Sequence, residues 1–215
     1  MRFYVEVKLI DNSKLPIYDL WSKVYTQLHF ILVDHATKDK MSPFGISFPE
    51  YHVDYRGEEV FGHLGSKFRV FAKTEEELRG LDLASVYSSF KGSVEVSPIG
   101  PVPEDIIGHL NVKRYRSNLN LERLTRRYAK RKGISLEDAK PEQIKAYAEA
   151  NGLSVEDANG EYFAPVDKDY PYVKFKSKST NRKFSLKILQ VEATKPSDGV
   201  YSTYGLSSQS TVPHW

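Results

Sequence analysis

Five basic residues stand at helical spacing. Arg123, Arg126, Arg127, Lys130 and Arg131 occupy positions i, i+3, i+4, i+7 and i+8. A helix puts all five on one face, and a face this positive cannot be buried in a core. The element must therefore lie at the surface, whatever the rest of the chain builds. Lys113, Arg114 and Arg116 stand just upstream, and Lys132 closes the run. Residues 113–132 hold nine Lys or Arg and a single acid, Glu122, which gives the stretch a charge of +8. The whole chain carries only +3, so the remainder is −5. A merely solvated helix laced with i,i+4 ion pairs needs acids at matching positions, and only Glu122 offers one, towards Arg126. One-sided charge without that pairing points to a polyanion, and a nucleic-acid backbone fits best.

Composition bounds the rest. A length of 215 residues suits one large domain or two small ones. Apolar residues make up 40%, enough for a core, and 14 Tyr with 11 Phe suit both strands and base stacking. There is no cysteine, which excludes disulfides, thiolate catalysis and thiolate zinc sites. No stretch approaches the ~18 apolar residues of a membrane span. The strand-like start, Met1 to Val5, lacks a signal-peptide pattern. The expectation is a soluble cytoplasmic protein with no membrane partner.

Periodicity predicts an α+β chain. Phe3, Val5, Val7 and Leu9 alternate with Tyr4, Glu6 and Lys8, the pattern of a half-buried strand. A helix follows from about Pro16 to about Val33, with Leu20, Val24, Leu28, Ile31 and Leu32 on one face. Strands are predicted at Gly45–Phe48, around Phe68–Phe71 and at Val94–Val96. Between the last two, Thr74 and Glu77 form a capping-box helix start. The order β-α-β-β-α-β predicts a ferredoxin-like (RRM-like) domain over residues 1–97, an arrangement many RNA-binding domains use. Pro98, Gly100, Pro101 and Pro103 mark a linker over 98–111. A smaller α+β domain follows over 112–215. It comprises the arginine-rich helix (about 121–132, stopped by Gly133), a helical insertion (about 135–158) and C-terminal strands at 172–177, 184–191 and 200–206. A local repeat brackets the insertion, Gly133-Ile-Ser-Leu-Glu-Asp-Ala and Gly152-Leu-Ser-Val-Glu-Asp-Ala, and its serines read as helix starts.

Individual residues are ambiguous when taken alone. His29 lies late in the first helix beside its apolar face, where a lone histidine is usually structural. Tyr204-Gly205-Leu206-Ser207 reads as an ordinary strand end. Lys176-Ser177-Lys178-Ser179-Thr180 is either a phosphate-binding strand end or an exposed hairpin. The remaining histidines, 35, 52, 63, 109 and 214, show no ligand-like pairing, so no metal is expected.

Taken together and in order, these pieces resemble a known family. Leu28-His29, Gly45-Ile46-Ser47-Phe48-Pro49 and Leu64-Gly65…Phe68-Arg69-Val70 come first. Ser117-Asn118…Glu122-Arg123-Leu124…Arg126-Arg127…Lys130-Arg131 follows. Ser177-Lys178-Ser179-Thr180…Phe184-Ser185-Leu186 and Tyr204-Gly205-Leu206-Ser207…Val212-Pro213 complete the set. The chain is similar, nearly end to end, to the type I-F CRISPR-associated endoribonucleases that cut precursor CRISPR RNA within its repeats.

The resemblance implies a chemistry. His29 is the general base that deprotonates the ribose 2′-OH, since imidazole titrates near neutral pH. That oxygen attacks the neighbouring phosphorus to give a 2′,3′-cyclic phosphate and a 5′-OH, with no cofactor and no metal. Ser177 positions the ribose, and Tyr204 orients His29 or lines the site. Phe184 stacks on the base pair at the foot of the RNA stem, although core packing in a strand is its plainer reading. Ser179 and Thr180 bind phosphates near the cut. Arg123, Arg126, Arg127, Lys130 and Arg131 lie along the major groove of a repeat hairpin. Arg114 and Arg116 read base edges. The implied partners are the repeat stem-loop, as pre-crRNA and then crRNA, and the other subunits of a type I-F effector complex. Two alternatives stay open at this point: a non-catalytic RNA-hairpin-binding subunit of the same fold, and a duplex-DNA-binding regulator.

Overall fold

The computed structural model describes residues 1–11, 16–57, 59–115, 121–151, 154–163, 169–176, 181 and 183–215. It begins with β1 (Phe3–Leu9), α1 (Ile17–Asp34), β2 (Met41–Ser42), β3 (Gly45–Ser47), β4 (His52–Arg56), β5 (Glu59–His63) and β6 (Lys67–Ala72). Next come α2 (Glu75–Leu81), α3 (Leu83–Val86), β7 (Val94–Val96), β8 (Gly100–Pro101) and β9 (Gly108–Arg114). The chain continues with α4 (Leu121–Lys132), α5 (Leu136–Asn151) and α6 (Val155–Phe163). It ends with β10 (Tyr172–Lys176), β11 (Lys183–Ala193), β12 (Tyr201–Ser202) and β13 (Val212–His214).

The protein is α+β and divides into two compact units. The first comprises 1–55, 60–115 and 170–215, and the second 56–59 and 116–169. Residues 98–111, read above as a linker, supply β8 and the start of β9 within the first unit. The C-terminal strands belong to that unit as well.

Two sheets build the first unit. One runs β3-β6-β1-β7, with β8 also pairing β1. All its neighbours are antiparallel, in registers that set Val5 opposite Val70, Val7 opposite Phe68 and Ile46 opposite Val70. Those side chains alternate inward, as a period of two requires, and Val5, Val7, Leu9, Ile46, Phe68 and Val70 are buried. The other sheet runs β10-β11-β9-β13, again antiparallel. Leu110, Val112, Val173, Leu186 and Ile188 from this second sheet join the same hydrophobic core as the first. α1 buries Leu20, Trp21, Val24, Tyr25, Leu28 and Leu32 against that core, one stripe at helical spacing. Pro16 stands one residue before the helix, where its missing N–H costs nothing. α2 carries the expected capping box: the Glu77 N–H donates to Thr74 Oγ1 at 3.2 Å, and Glu77 Oε2 accepts from the Thr74 N–H at 3.0 Å.

One predicted strand is corrected. Of residues 200–206 only Tyr201 and Ser202 are extended, paired with β2. The chain then turns. The Gly205 N–H donates to Ser202 O at 2.8 Å, the Ser202 N–H to Leu206 O at 2.8 Å, and the Ile46 N–H to Gly205 O at 3.0 Å. Gly205 has φ +71°, and a Cβ there would lie 2.3 Å from Ile46 Cδ1. Both the left-handed conformation and the close approach demand glycine.

The second unit is helical. α4 stops at Gly133, which has φ +68°, a conformation that ends helices. Ser135 and Ser154 cap α5 and α6 as the repeat predicted, accepting from Asp138 N–H at 3.1 Å and Asp157 N–H at 3.0 Å. Pro141 lies inside α5 without ending it, and the insertion comprises this long helix and the shorter α6. Ile144, Ala148 and Ala158 form its small core, with Tyr147 packed on it.

Candidate active site

α1 carries both residues that organise the site. Tyr25 and His29 stand one turn apart on the same face. Each reaches one of two consecutive carbonyls in the turn after β12. His29 Nδ1 lies 2.8 Å from Thr203 O, and Tyr25 Oη donates to Tyr204 O at 2.9 Å. A carbonyl oxygen only accepts, so Nδ1 holds the proton, and in the neutral ring the lone pair sits on Nε2. The geometry thus selects the tautomer in which Nε2 can serve as a base. Tyr25 is fully buried. Burial pushes its phenol well above the ordinary range, with the neighbouring Tyr87 and Tyr204 phenols adding to the effect, so it stays a neutral donor.

Stacked rings fix the plane of the imidazole. The Tyr204 ring lies parallel to it, with centroids 4.2 Å apart and 6° between planes. Phe175 meets three rings edge-on: His29 at 6.0 Å, Tyr204 at 5.4 Å and Tyr25 at 5.9 Å. Phe175 also pairs across the strands with Phe184, stacked at 5.5 Å and 13°. Phe184 is half-buried and packs against the core, and the Arg114 guanidinium sits 5.7 Å from its ring centre. Phe184 thus packs on the core and is still partly exposed. Arg114 ends β9, one strand from Phe184.

His29, Tyr204, Phe184 and Arg114 all belong to the first unit. Ser177, Ser179, Thr180 and Arg116 lie outside the described residues. The basic stripe belongs to the second unit. There Arg123, Arg126, Arg127, Lys130 and Arg131 are all exposed on α4, while Thr125 and Ala129 are buried one turn apart on the opposite side. Glu122 pairs with Arg126, as the spacing indicated. Tyr128 bonds Glu142, and the Arg131 guanidinium and Lys132 ammonium lie 5.5 and 5.6 Å from its ring centre.

Three contributors to the site were not read from the sequence. Tyr25 had a local signal, its i−4 relation to His29. Phe175 had only the alternation of β10, because its neighbours come from α1 and the turn after β12. Thr203 acts through its backbone carbonyl, which no side-chain pattern reveals. Among the described residues no helix is long and apolar enough to cross a membrane.

The comparisons with known proteins agree with the resemblance. Residues 4–215 match the family model described as "CRISPR-associated protein (Cas_Csy4)". A curated protein of Escherichia coli (strain UTI89 / UPEC), "CRISPR-associated endonuclease Cas6/Csy4", is 27% identical over 214 residues, covering 99% of both chains. A protein of the same description from Pseudomonas aeruginosa (strain UCBPP-PA14) is 27% identical over 220 residues, again covering 99% of each. A solved structure described as "An RAMP protein binding different RNA substrates" covers 99% of both chains at 14% identity, with a TM-score of 0.30. With the family model spanning all but the first three residues, the chain belongs to the Csy4 family of CRISPR-associated proteins.

Proposed function

We propose that the chain is a metal-independent endoribonuclease that cuts CRISPR repeat hairpins by 2′-OH attack. The enzyme class itself follows from the family: its curated relatives are CRISPR-associated endonucleases, and this chain is a CRISPR-associated endoribonuclease. The finer mechanism is carried by one observation, the His29 Nδ1 bond to Thr203 O. With Nδ1 committed to a carbonyl, Nε2 is the nitrogen that takes the ribose 2′-OH proton. The 2′ oxygen then bonds phosphorus as the P–O5′ bond breaks. O5′ leaves as a hydroxyl by taking a proton from water, the imidazolium then returns its proton to the solvent, and a 2′,3′-cyclic phosphate remains. The nucleophile belongs to the RNA, so no covalent enzyme intermediate forms and no metal is required.

Tyr204 holds the imidazole plane by stacking. Ser177 positions the attacking ribose, and Ser179 and Thr180 bind nearby phosphates. Phe184, only half-buried, stacks on the base pair at the foot of the stem. Arg123, Arg126, Arg127, Lys130 and Arg131 engage stem phosphates, and Arg114 and Arg116 read base edges. The enzyme stays on the 3′ stem-loop of its product within a type I-F complex. The N-terminal sheet supports a ferredoxin-like reading of this part of the chain. Its first strand, β1, is flanked by the third and fourth, β6 and β7, and the second, β3, lies beyond β6. Two interleaved βαβ motifs produce that order.

The test is His29→Ala on a repeat hairpin. Cleavage should fall by about 10²–10⁴-fold or more, the contribution of a positioned base, while hairpin affinity is retained. Full cleavage in EDTA and none with a 2′-deoxy nucleotide at the cut are expected alongside. Undiminished cleavage by the variant, or dependence on a divalent ion, would refute the mechanism. Binding without cleavage by the wild type would instead favour a non-catalytic hairpin-binding subunit.

A further inference from the structure

The outward face of the second sheet carries charge that the proposed hairpin contacts do not use. Register defines that face. Lys174 stands opposite Ser185, Lys176 opposite Lys183, and Tyr172 opposite Lys187, while Lys113 stands opposite Leu189. Val173, Phe175, Leu186 and Ile188 take the alternate, inward positions and are buried. Lys174, Lys176 and Lys183 are exposed. No acid occupies an outward position on β9, β10 or β11, and the ion pairs among the described residues include none of Lys113, Lys174, Lys176 or Lys183. Clustered lysines without counter-charges repel one another unless an anion lies across them.

Two further features say what that anion is. A groove of about 450 Å³ is lined by Ser22, Phe175 and Phe184 together with Lys174, Lys176 and Lys183. Phe175 is the ring that meets His29 edge-on. Ser22 stands two turns before His29 on α1, and its Oγ donates to Lys174 O at 2.6 Å, tying the groove to the catalytic helix. The groove therefore shares the Phe175 ring with the His29 site and is flanked by the lysines. Lys174 and Lys176, two residues apart on one strand, are about 7 Å apart along it, close to the step between neighbouring phosphates of an extended single strand.

We propose that this lysine face is a second RNA-binding surface, which holds the single strand continuing 3′ of the cut. The inference rests on the RNA-cleavage reading above and adds a substrate segment to it. A downstream strand held this way favours the uncut RNA over the retained product, because cleavage severs the strand from the stem.

The experiment measures affinity of the full chain for a repeat hairpin made uncleavable by a 2′-deoxy nucleotide at the cut. Three RNAs are compared: hairpin alone, hairpin with a 5′ flank, and hairpin with a 3′ flank. Wild type and the triple variant Lys174→Ala/Lys176→Ala/Lys183→Ala are titrated over a range of salt. The wild type should gain affinity from the 3′ flank. The variant should lose that gain, lower the slope of log K against log salt by about 2 for the flanked RNA, and bind the bare hairpin as before. A variant that keeps the gain, a wild type that gains nothing from the 3′ flank, or a gain confined to the 5′ flank would each overturn the proposal. Failure of the wild type to bind the bare hairpin would overturn the functional reading itself, which keeps the two failures apart.

Discussion

His29 shows how little of the catalytic role proposed for it belongs to the residue by itself. A histidine on a helix is uninformative until something chooses its tautomer, and here the Thr203 carbonyl makes that choice. The stacked Tyr204 ring then limits rotation about the bond that carries the imidazole. These are separable effects. Tyr204→Phe keeps the ring and the backbone carbonyl, so single-turnover cleavage should stay near wild type. Tyr204→Ala removes the stack and should slow cleavage at saturating RNA with little change in affinity, because the ring acts through His29. Equal losses in the two variants would instead assign the work to the phenol oxygen. Gly205 supports this arrangement from behind. Only a residue without a Cβ fits at φ +71° against Ile46, and that turn delivers both carbonyls to α1.

At the scale of elements, α4 is divided by side. Thr125 and Ala129 bury one side, and the five basic residues expose the other. Small buried residues let the helix pack without drawing the long cationic chains into the core. Glu122 neutralises only Arg126, and an exposed pair of this kind contributes little to stability. The stripe is therefore available to phosphates. Replacing Arg126 and Arg127 by Ala should weaken hairpin binding and reduce the log–log salt slope by about 2, one counterion near each lost phosphate contact. Unfolding midpoints should barely move. A large fall in thermal stability with an unchanged salt slope would make the stripe structural. β10 and β11 divide in the same way, with Phe175 turned towards the His29 and Tyr204 rings, Phe184 stacked on Phe175, and the lysines turned outward.

Across the whole molecule, the basic stripe and the His29 cluster, proposed to carry affinity and chemistry respectively, lie in different units. The basic helix lies in the unit of 116–169, and His29, Tyr25, Tyr204 and Phe175 lie in the other. Raising ionic strength should accordingly raise the RNA concentration needed for half-maximal cleavage while leaving the single-turnover rate at saturation nearly constant. A rate that falls with salt at saturation would place charged groups in the chemical step. Much of this organisation was legible in the chain. The alternation of β1, the apolar stripe of α1, the Thr74–Glu77 cap and the α4 stripe are local patterns, and each element forms where its pattern lies. β9 carried the same kind of signal, Leu110 and Val112 alternating with polar neighbours, but was read as linker and the start of the basic segment. The turn at 203–206 was misread as strand, because Gly205 turns left-handed only against β3, 160 residues earlier. The sequence by itself determined that a helix with one strongly basic face exists and that His29 lies on a half-buried helix. Tertiary structure decided that Thr203 would hold Nδ1, that Tyr204 would stack on the ring, and that the lysines of β10 and β11 would share one face. A side chain's own pattern sets its exposure. Its tautomer and its neighbours depend on backbone brought from far along the chain, and no local period encodes that.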